Sequence, residues 1–417
     1  MFFSRRFLPF MTTLFLGAFN DNMFRNALVI LITYQSAYSE KTAGMLSFLA
    51  MALLMLPYFP FSATAGECAD RFPRRTLFIV TKTAELLLMI GTAAALWFRN
   101  IPVLMVLIFL MGTQSAFFSP LKYSYIPQMM PKNELLRANG HVNAGTYLAI
   151  ILGAVAGNFL ITGANGTLFT GAALIAIALV GAAAALAIPK IPAVNPELEI
   201  CRNCAGATAA TLKMLLRDKT MRRCALGLSS FWMAGALYVS QLAPFCRDVL
   251  NATPDLVVFF YLLFSFGVAA GSLTCGRLGA GVTRWLSPAL VLMAAFTFDL
   301  YFTSEAWEAD ATRTTLELLQ KPEFIRISVD LFLVAVCGGF YSVPLNALLQ
   351  RSAAPGAVAR AVAGNNVLNS LAIAVGTLLT GVLLGVGIIT IPGVFSIVGV
   401  VNLLTGVYLY RLKRTKI

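Results

Sequence analysis

Apolar residues in this chain fall into about a dozen continuous runs, each near the roughly 20 residues that carry a helix across a bilayer. Short stretches between them hold most of the charge. In the water-free interior of a membrane the backbone must satisfy its own hydrogen bonds, which leaves only helices or closed barrels. Barrel strands alternate apolar and polar residues, and these runs do not. The expected fold is an all-α membrane protein. Composition agrees, with 59% of residues apolar and 12% charged, far from the balance of a soluble domain. Spans are expected at 7–36, 43–65, 76–98, 102–125, 140–162, 167–188, 224–245, 256–275, 285–302, 325–350, 361–386 and 390–410. The first run is long enough to span and no small-residue cleavage site follows it, so no removable secretory signal is expected.

Six of these twelve spans precede the polar stretch at 189–223 and six follow it. The expected organisation is an N-terminal six-helix half at 1–189, a linker at 190–220 and a C-terminal six-helix half at 221–417. The halves also match in sequence. A shift of 224 places Pro120-Leu121-Lys122 on Pro344-Leu345-Asn346, Pro131 on Pro355, Gly140 on Gly364 and Gly157 on Gly381. Spans four and five thus mirror spans ten and eleven, as in transporters built from parallel repeats. If the termini share a side, most of the 31 Lys and Arg residues lie on it, including Arg71, Arg74, Arg75, Lys219, Arg222, Arg223, Arg277, Arg284 and the tail from Arg411 to Lys416. The positive-inside rule then makes both termini cytoplasmic. The net charge of +13 reflects this sorting and contact with anionic lipid, not nucleic-acid binding. The acidic loop from Thr303 to Phe324 reads as solvated surface.

Within the first run lie Asp21 and Arg25, four residues apart and so on one helix face. Ionisable groups at bilayer depth are costly and read as functional by default. After the second run comes Gly66-Glu-Cys-Ala-Asp70-Arg71-Phe-Pro-Arg74-Arg75. This segment resembles the cytoplasmic loop motif of the major facilitator superfamily, with Pro73 replacing its second glycine. The resemblance implies a gate built on Gly66, Asp70, Arg71, Arg74 and Arg75, the charges latching onto helix ends of opposite dipole sign. Topogenic charge alone is the competing reading.

Further segments narrow the likeness: Phe-Leu-Gly-Ala-Phe-Asn-Asp-Asn-Met-Phe-Arg-Asn from Phe15 to Asn26, Phe118 to Tyr123, Gly338 to Gln350, Leu135 to Gly140 and Asn365 to Ser370. Through nearly its whole length the chain resembles the lysophospholipid transporter (LplT) family, and the transporter domains fused to acyltransferase and acyl-ACP synthetase modules. The resemblance implies import of lysophosphatidylethanolamine and related lysolipids from the outer to the inner leaflet of the bacterial inner membrane. There a partner acyltransferase/acyl-ACP synthetase, expected as a separate chain or absent domain, restores the missing acyl chain.

Such a substrate carries an ammonium, a phosphate and one acyl chain, and so needs an anionic contact, a cationic contact and an apolar slot. Asp21 suits the ammonium, lying about 21 Å into its helix at 1.5 Å per residue. Lys122 suits the phosphate, although the same arithmetic places it close to the cytoplasmic surface, where it could simply snorkel. Arg25 either neutralises Asp21 or contacts the phosphate. Asn20, Asn22 and Asn346 either read the headgroup or bond helices together, and helix bonding is preferred for Asn365, Asn366, Asn369 and Ser370. Lys82 and Glu85 are expected to pair at a surface or helix end. Glu85, Asp299 and Asp330 are further candidates for carrying a proton.

No catalytic residue, metal site or cofactor is expected. There is no nucleophile elbow and no phosphate-binding loop. Cys201 and Cys204 lack a second pair, and the single histidine, His141, begins a span. The alternative to a lysolipid flippase is a proton-coupled exporter of drugs or small solutes, which would share the fold, the gate and Asp21.

Overall fold

The computed structural model describes residues 5–34, 38–201, 203–308 and 312–412. Asp310 of the acidic loop and Lys413, Arg414 and Lys416 of the basic tail lie outside them. The elements are helices: α1 (Phe7–Tyr34), α2 (Glu40–Met55), α3 (Tyr58–Arg71), α4 (Arg74–Trp97), α5 (Ile101–Met129), α6 (Leu135–Thr162), α7 (Gly166–Leu186), α8 (Cys204–Arg217), α9 (Lys219–Pro244), α10 (Asp255–Arg277), α11 (Leu286–Glu305), α12 (Thr315–Leu318), α13 (Pro322–Ser352), α14 (Val358–Gly385) and α15 (Ile391–Leu409).

Ten segments among the described residues are long and apolar enough to cross a membrane, α2 and α3 together forming one of them. The 28-residue α1 and the 26-residue α9 match the others in length, and with them the number is consistent with twelve. The exposed faces are apolar: Phe48 is 78% exposed, Phe159 77% and Leu378 71%. Such surface belongs against lipid. Polar side chains in the spans often bond back to their own helix, as Thr13 does to the Pro9 carbonyl at 2.8 Å, Asn22 to Ala18 at 2.8 Å and Asn346 to Ser342 at 3.1 Å. A return bond of this kind satisfies a donor where water is absent.

Two expectations are revised and one gains support. The second span bends at Leu56-Pro57, where proline lacks the N–H that a continuous helix requires, and then runs on to Arg71. Gly66, Asp70 and Arg71 therefore lie on a helix, not in a loop. The stretch at 190–220 contains an ordered helix, α8, whose Ala207, Thr211 and Leu215 form a buried stripe at four-residue spacing. The internal match gains support from element lengths: shifted by 224, α5 falls on 325–353 against Pro322–Ser352 and α6 on 359–386 against Val358–Gly385.

The described chain divides into two compact units. The first comprises 1–131, 148–216 and 353–367, and the second 132–147, 217–352 and 368–417. In the first unit Phe10, Phe78, Phe118 and Tyr125 pack ring against ring. In the second, Tyr238, Phe245 and Phe395 do the same.

Glycine is required where α6 meets α1 in the first unit. A Cβ at Gly153 would lie 2.2 Å from the Phe19 carbonyl oxygen, and one at Gly157 would lie 2.3 Å from that of Met23. Backbone cannot yield as a side-chain tip can, so α1 and α6 touch only because these two positions lack a Cβ. Gly381, which the internal shift aligns with Gly157, has open space around it. Gly157→Val is expected to lower stability by about 1–3 kcal/mol through overpacking, whereas Gly381→Ala stays within about 0.5 kcal/mol of the parent. Thermal unfolding of both variants in detergent checks this difference.

Candidate functional site

In the first unit, α1, α4 and α5 bring together a polar centre at mid-depth. Asp21 stands 14 residues into the 28-residue α1, about 21 Å along it. Its Oδ2 accepts a hydrogen bond from Ser115 Oγ of α5 at 2.7 Å. Its Oδ1 has no hydrogen-bond partner among the described residues. Tyr58, in the first turn of α3, directs its hydroxyl to the same serine. Arg25, one turn along α1, attracts Asp21 electrostatically, as does Lys82 from α4.

Beside Asp21 sits a buried ion pair. Lys82 Nζ donates to Glu85 Oε2 at 2.6 Å, and the two side chains are 0% and 2% exposed. Asn20 donates to Glu85 Oε1 at 3.4 Å, Gln114 donates to the Thr81 carbonyl at 3.2 Å, and the Lys82 ammonium rests 5.0 Å from the centre of the Phe118 ring. The pair therefore forms as expected, but inside the helix bundle and not at a surface or helix end. The reason is geometric. Lys82 faces Gly17, where an added Cβ would lie 2.6 Å from the ammonium, so a missing side chain on α1 makes room for the lysine.

The remaining candidate binding residues are spread out. Lys122 is half-buried on α5, its ammonium 4.9 Å from the Tyr123 ring centre. It lies seven residues beyond Ser115, about 10 Å further along that helix. Asn22 and Asn346 each spend an amide N–H on their own helix, and Asn346 belongs to the second unit. Asn366 donates to Ser119 Oγ at 2.9 Å, and Ser229 donates to Asn369 Oδ1 at 2.9 Å, the helix-bonding role expected of that run.

At one end of the first unit Asp70 forms a latch. The carboxylate is completely buried and accepts from Arg74 at 3.2 Å, from the Ala359 and Arg360 backbone N–H groups at 3.2 and 3.3 Å, and from Arg360 Nε at 3.3 Å. Because α14 starts at Val358, those N–H groups belong to its first turn, where no intrahelical partner exists and the dipole favours an anion. Asp70 thus caps a helix distant in sequence. Gly66, one turn earlier, permits the approach: a Cβ there would lie 2.7 Å from that of Ala363. Arg74 also donates from Nε to Ser124 Oγ at 3.2 Å.

Arg75 binds the Leu186 carbonyl at 2.7 Å, at the last residue of α7, and Arg71 lies over the Phe72 ring instead of joining the latch. Arg360 takes the third position, and its sequence context of a turn followed by an alanine-rich helix start offered no signal for that role. Glu67 accepts from the Cys201 N–H at 2.9 Å, and the Asn195 N–H reaches the Asp70 carbonyl at 3.0 Å, so the segment after α7 is fastened to the same corner.

In the second unit the corresponding contacts are uncharged. Asn139 and Gln350 exchange two amide hydrogen bonds, each 2.9 Å long. Asn143 donates to Ser272 at 2.9 Å and to Ser342 at 3.2 Å.

Residues 10–316 match the family model described as Major Facilitator Superfamily. The chain is 30% identical over 358 residues to the lysophospholipid transporter LplT of Serratia proteamaculans (strain 568), covering 83% of this chain and 80% of that protein. It is 29% identical over 346 residues to the LplT of Escherichia fergusonii, covering 81% and 78%. The chain belongs to the major facilitator superfamily and, within it, to the LplT family. Among solved structures, the human organic anion transporter MFSD10 (TETRAN) superposes with a TM-score of 0.77 at 14% identity, covering 96% of this chain and 99% of that one. At such low identity this likeness speaks to the fold alone.

For this LplT-family member, the buried pair makes a sharp test. Removing one member of a buried ion pair strands the other charge and costs about 3–5 kcal/mol. Lys82→Met and Glu85→Gln are each expected to lose about that much, and the double variant to recover most of it, because it strands no charge. Thermal unfolding of all three decides; a double variant no more stable than the singles would show that the charges are not coupled.

Proposed function

We propose that this carrier moves lysophospholipids, with lysophosphatidylethanolamine as the type substrate, from the outer to the inner leaflet of a bacterial inner membrane. The chain acts as a carrier and not as an enzyme: reacylation falls to a partner acyltransferase/acyl-ACP synthetase at the inner face. The observation that carries this reading is the Asp21 carboxylate, held at mid-depth with one oxygen unpartnered in a chain whose relatives bear the name lysophospholipid transporter.

The chemistry supports it. An ammonium headgroup entering the helix bundle loses its hydration and needs a fixed anion, and a charge-assisted bond to Asp21 Oδ1 replaces the lost water. Ser115 holds that carboxylate through a hydrogen bond, and Arg25 attracts it electrostatically. Phosphate is served by cations at two depths, Arg25 beside Asp21 and Lys122 about 10 Å further along α5. The neutral amide of Asn22 supplies a weaker polar contact. The acyl chain stays partly in lipid, against which the outer helix faces are already apolar.

Alternating access follows from rocking of the halves 1–189 and 221–417 about the linker at 190–220, both termini being cytoplasmic by their Lys and Arg content. The Asp70 latch, with Gly66, Arg74 and Arg75 about it and Arg71 at its edge, serves as the cytoplasmic gate. Ionic contacts suit this role because entering water screens them and lets them part. Downhill flipping drawn by reacylation requires no ion gradient.

Proteoliposomes given headgroup-labelled lysophosphatidylethanolamine outside and an acyltransferase inside provide the test. Protein-dependent reacylation that survives collapse of the proton gradient is expected. Asp21→Asn, with unchanged thermal stability, should lower uptake tenfold or more, the equivalent of one charged hydrogen bond of about 1.5–3 kcal/mol. No protein-dependent uptake from a folded sample overturns the lysolipid reading. Uptake abolished by collapsing the gradient turns it toward a proton-coupled carrier.

A further inference from the structure

A second acidic site lies in the other unit, apart from Asp21 and from the latch. Asp330, eight residues into α13, is only 3% exposed, and its Oδ2 has no hydrogen-bond partner among the described residues. The Asp299 carboxyl of α11 is in hydrogen-bonding contact with it. Arg326, one turn before Asp330, is the cation of the group, and its guanidinium is committed to Asp299. Nε donates to Asp299 Oδ2 at 2.8 Å, and a second N–H bonds Oδ1. A bidentate fork of this kind satisfies one carboxylate and leaves the more deeply buried one without a counter-charge of its own.

Other charged groups on the surrounding helices are engaged elsewhere or distant along the chain. On α10, Asp255 accepts from Thr253 and from the Thr315 N–H. Glu305, at the last residue of α11, accepts from Thr390 at 2.6 Å. The charges of α9 (Lys219, Arg222 and Arg223) crowd its first turn, whereas its last residue, Pro244, leads to the Asn251–Thr253 segment that bonds Arg313 in the loop before α13. Glu323, in the first turn of α13, precedes Asp330 by nearly two turns. Among the described residues, Asp299 and Arg326 act electrostatically on Asp330.

Two ionised carboxylates in contact repel, and one shared proton removes the repulsion while turning one acid into a donor. We propose that Asp299, Asp330 and Arg326 form a proton-binding site in the second unit, the proton residing on Asp330 and bridging to Asp299. Protonated, the site is fully matched: Arg326 neutralises Asp299, and the Asp330 O–H donates to it. Deprotonated, it holds two anions against one cation and pushes α11 from α13. The site is independent of the lysolipid reading, because it takes a proton whatever the carrier moves.

Infrared difference spectroscopy of the purified full-length protein in nanodiscs tests this, with pH as the variable. A protonated-carboxyl band is expected at neutral pH that disappears as the pH is raised, survives in Asp21→Asn and is lost in Asp330→Asn. In parallel, the parent Tm falls as rising pH withdraws the shared proton. Asp330→Asn, whose amide keeps a donor toward Asp299, loses that slope. A band retained in Asp330→Asn, or equal pH slopes in both proteins, overturns the proposal. Should Asp330→Asn not fold, Asp299→Asn decides: Arg326 is then free to pair with Asp330, and the band should vanish at neutral pH, whereas an unchanged band overturns the proposal. A stabilisation by sodium at constant pH that needs Asp330, without any carboxyl band, overturns it in favour of a metal cation.

Discussion

Among the described residues, three carboxylates, Asp70, Glu85 and Asp330, are withdrawn almost wholly from solvent, at 0%, 2% and 3% exposure. Inside a helical membrane protein such a group must find a cation, a set of donors or a proton within a few ångströms. The rest of the arrangement follows from how each need is met. Glu85 takes Lys82, and α1 yields its Gly17 side chain to make room. Asp70 takes two arginines and the first turn of α14. Where a cation is already committed, as around Asp330, a proton is the remaining remedy.

The two units meet comparable packing problems with different chemistry. In the first, the approach of α14 is closed by charge through Asp70, Arg74 and Arg360. In the second, the approach of α6 is closed by paired neutral amides at Asn139 and Gln350 and by Asn143 with Ser272 and Ser342. An ionic contact weakens steeply as the local dielectric rises, and an amide pair does so less. A carrier with one corner of each kind has one fastening far more sensitive to entering water than the other. Many other polar side chains return a donor to their own helix, as Thr13, Asn22 and Asn346 do.

Much of this was legible from the chain alone. Run length and the absence of alternation specify membrane helices, and the shift of 224 residues anticipated the match of α5 with α13 and of α6 with α14. The polar cluster at Asp21 was identifiable because charge at bilayer depth is rare, and Gly66, Asp70 and Arg74 were identifiable because they match the superfamily's loop motif. Less legible were the partners. Arg360, Ser115 and Gln114 lie 290, 94 and 29 residues from the carboxylates they touch, and nothing in their local pattern points to those contacts. Lys82 and Glu85 read as a surface pair because three-residue spacing reports a shared helix face, not which way the face turns. The end of the second span was misplaced for a related reason: polarity rises after Ala65, but the backbone remains helical because Glu67 and Asp70 find partners inside the protein.

Sequence by itself determined the class of fold, the approximate spans and the residues that could not be left unpaired, since hydropathy and the cost of buried charge are properties of the chain. Only the tertiary structure decided which groups satisfy them. The capping of α14 by Asp70, the burial of Lys82 against Gly17 and the meeting of Asp299 with Asp330 all depend on helices distant in sequence approaching within hydrogen-bond reach. That approach is set by where side chains are absent and backbones can touch, a matching of surfaces that no local pattern encodes.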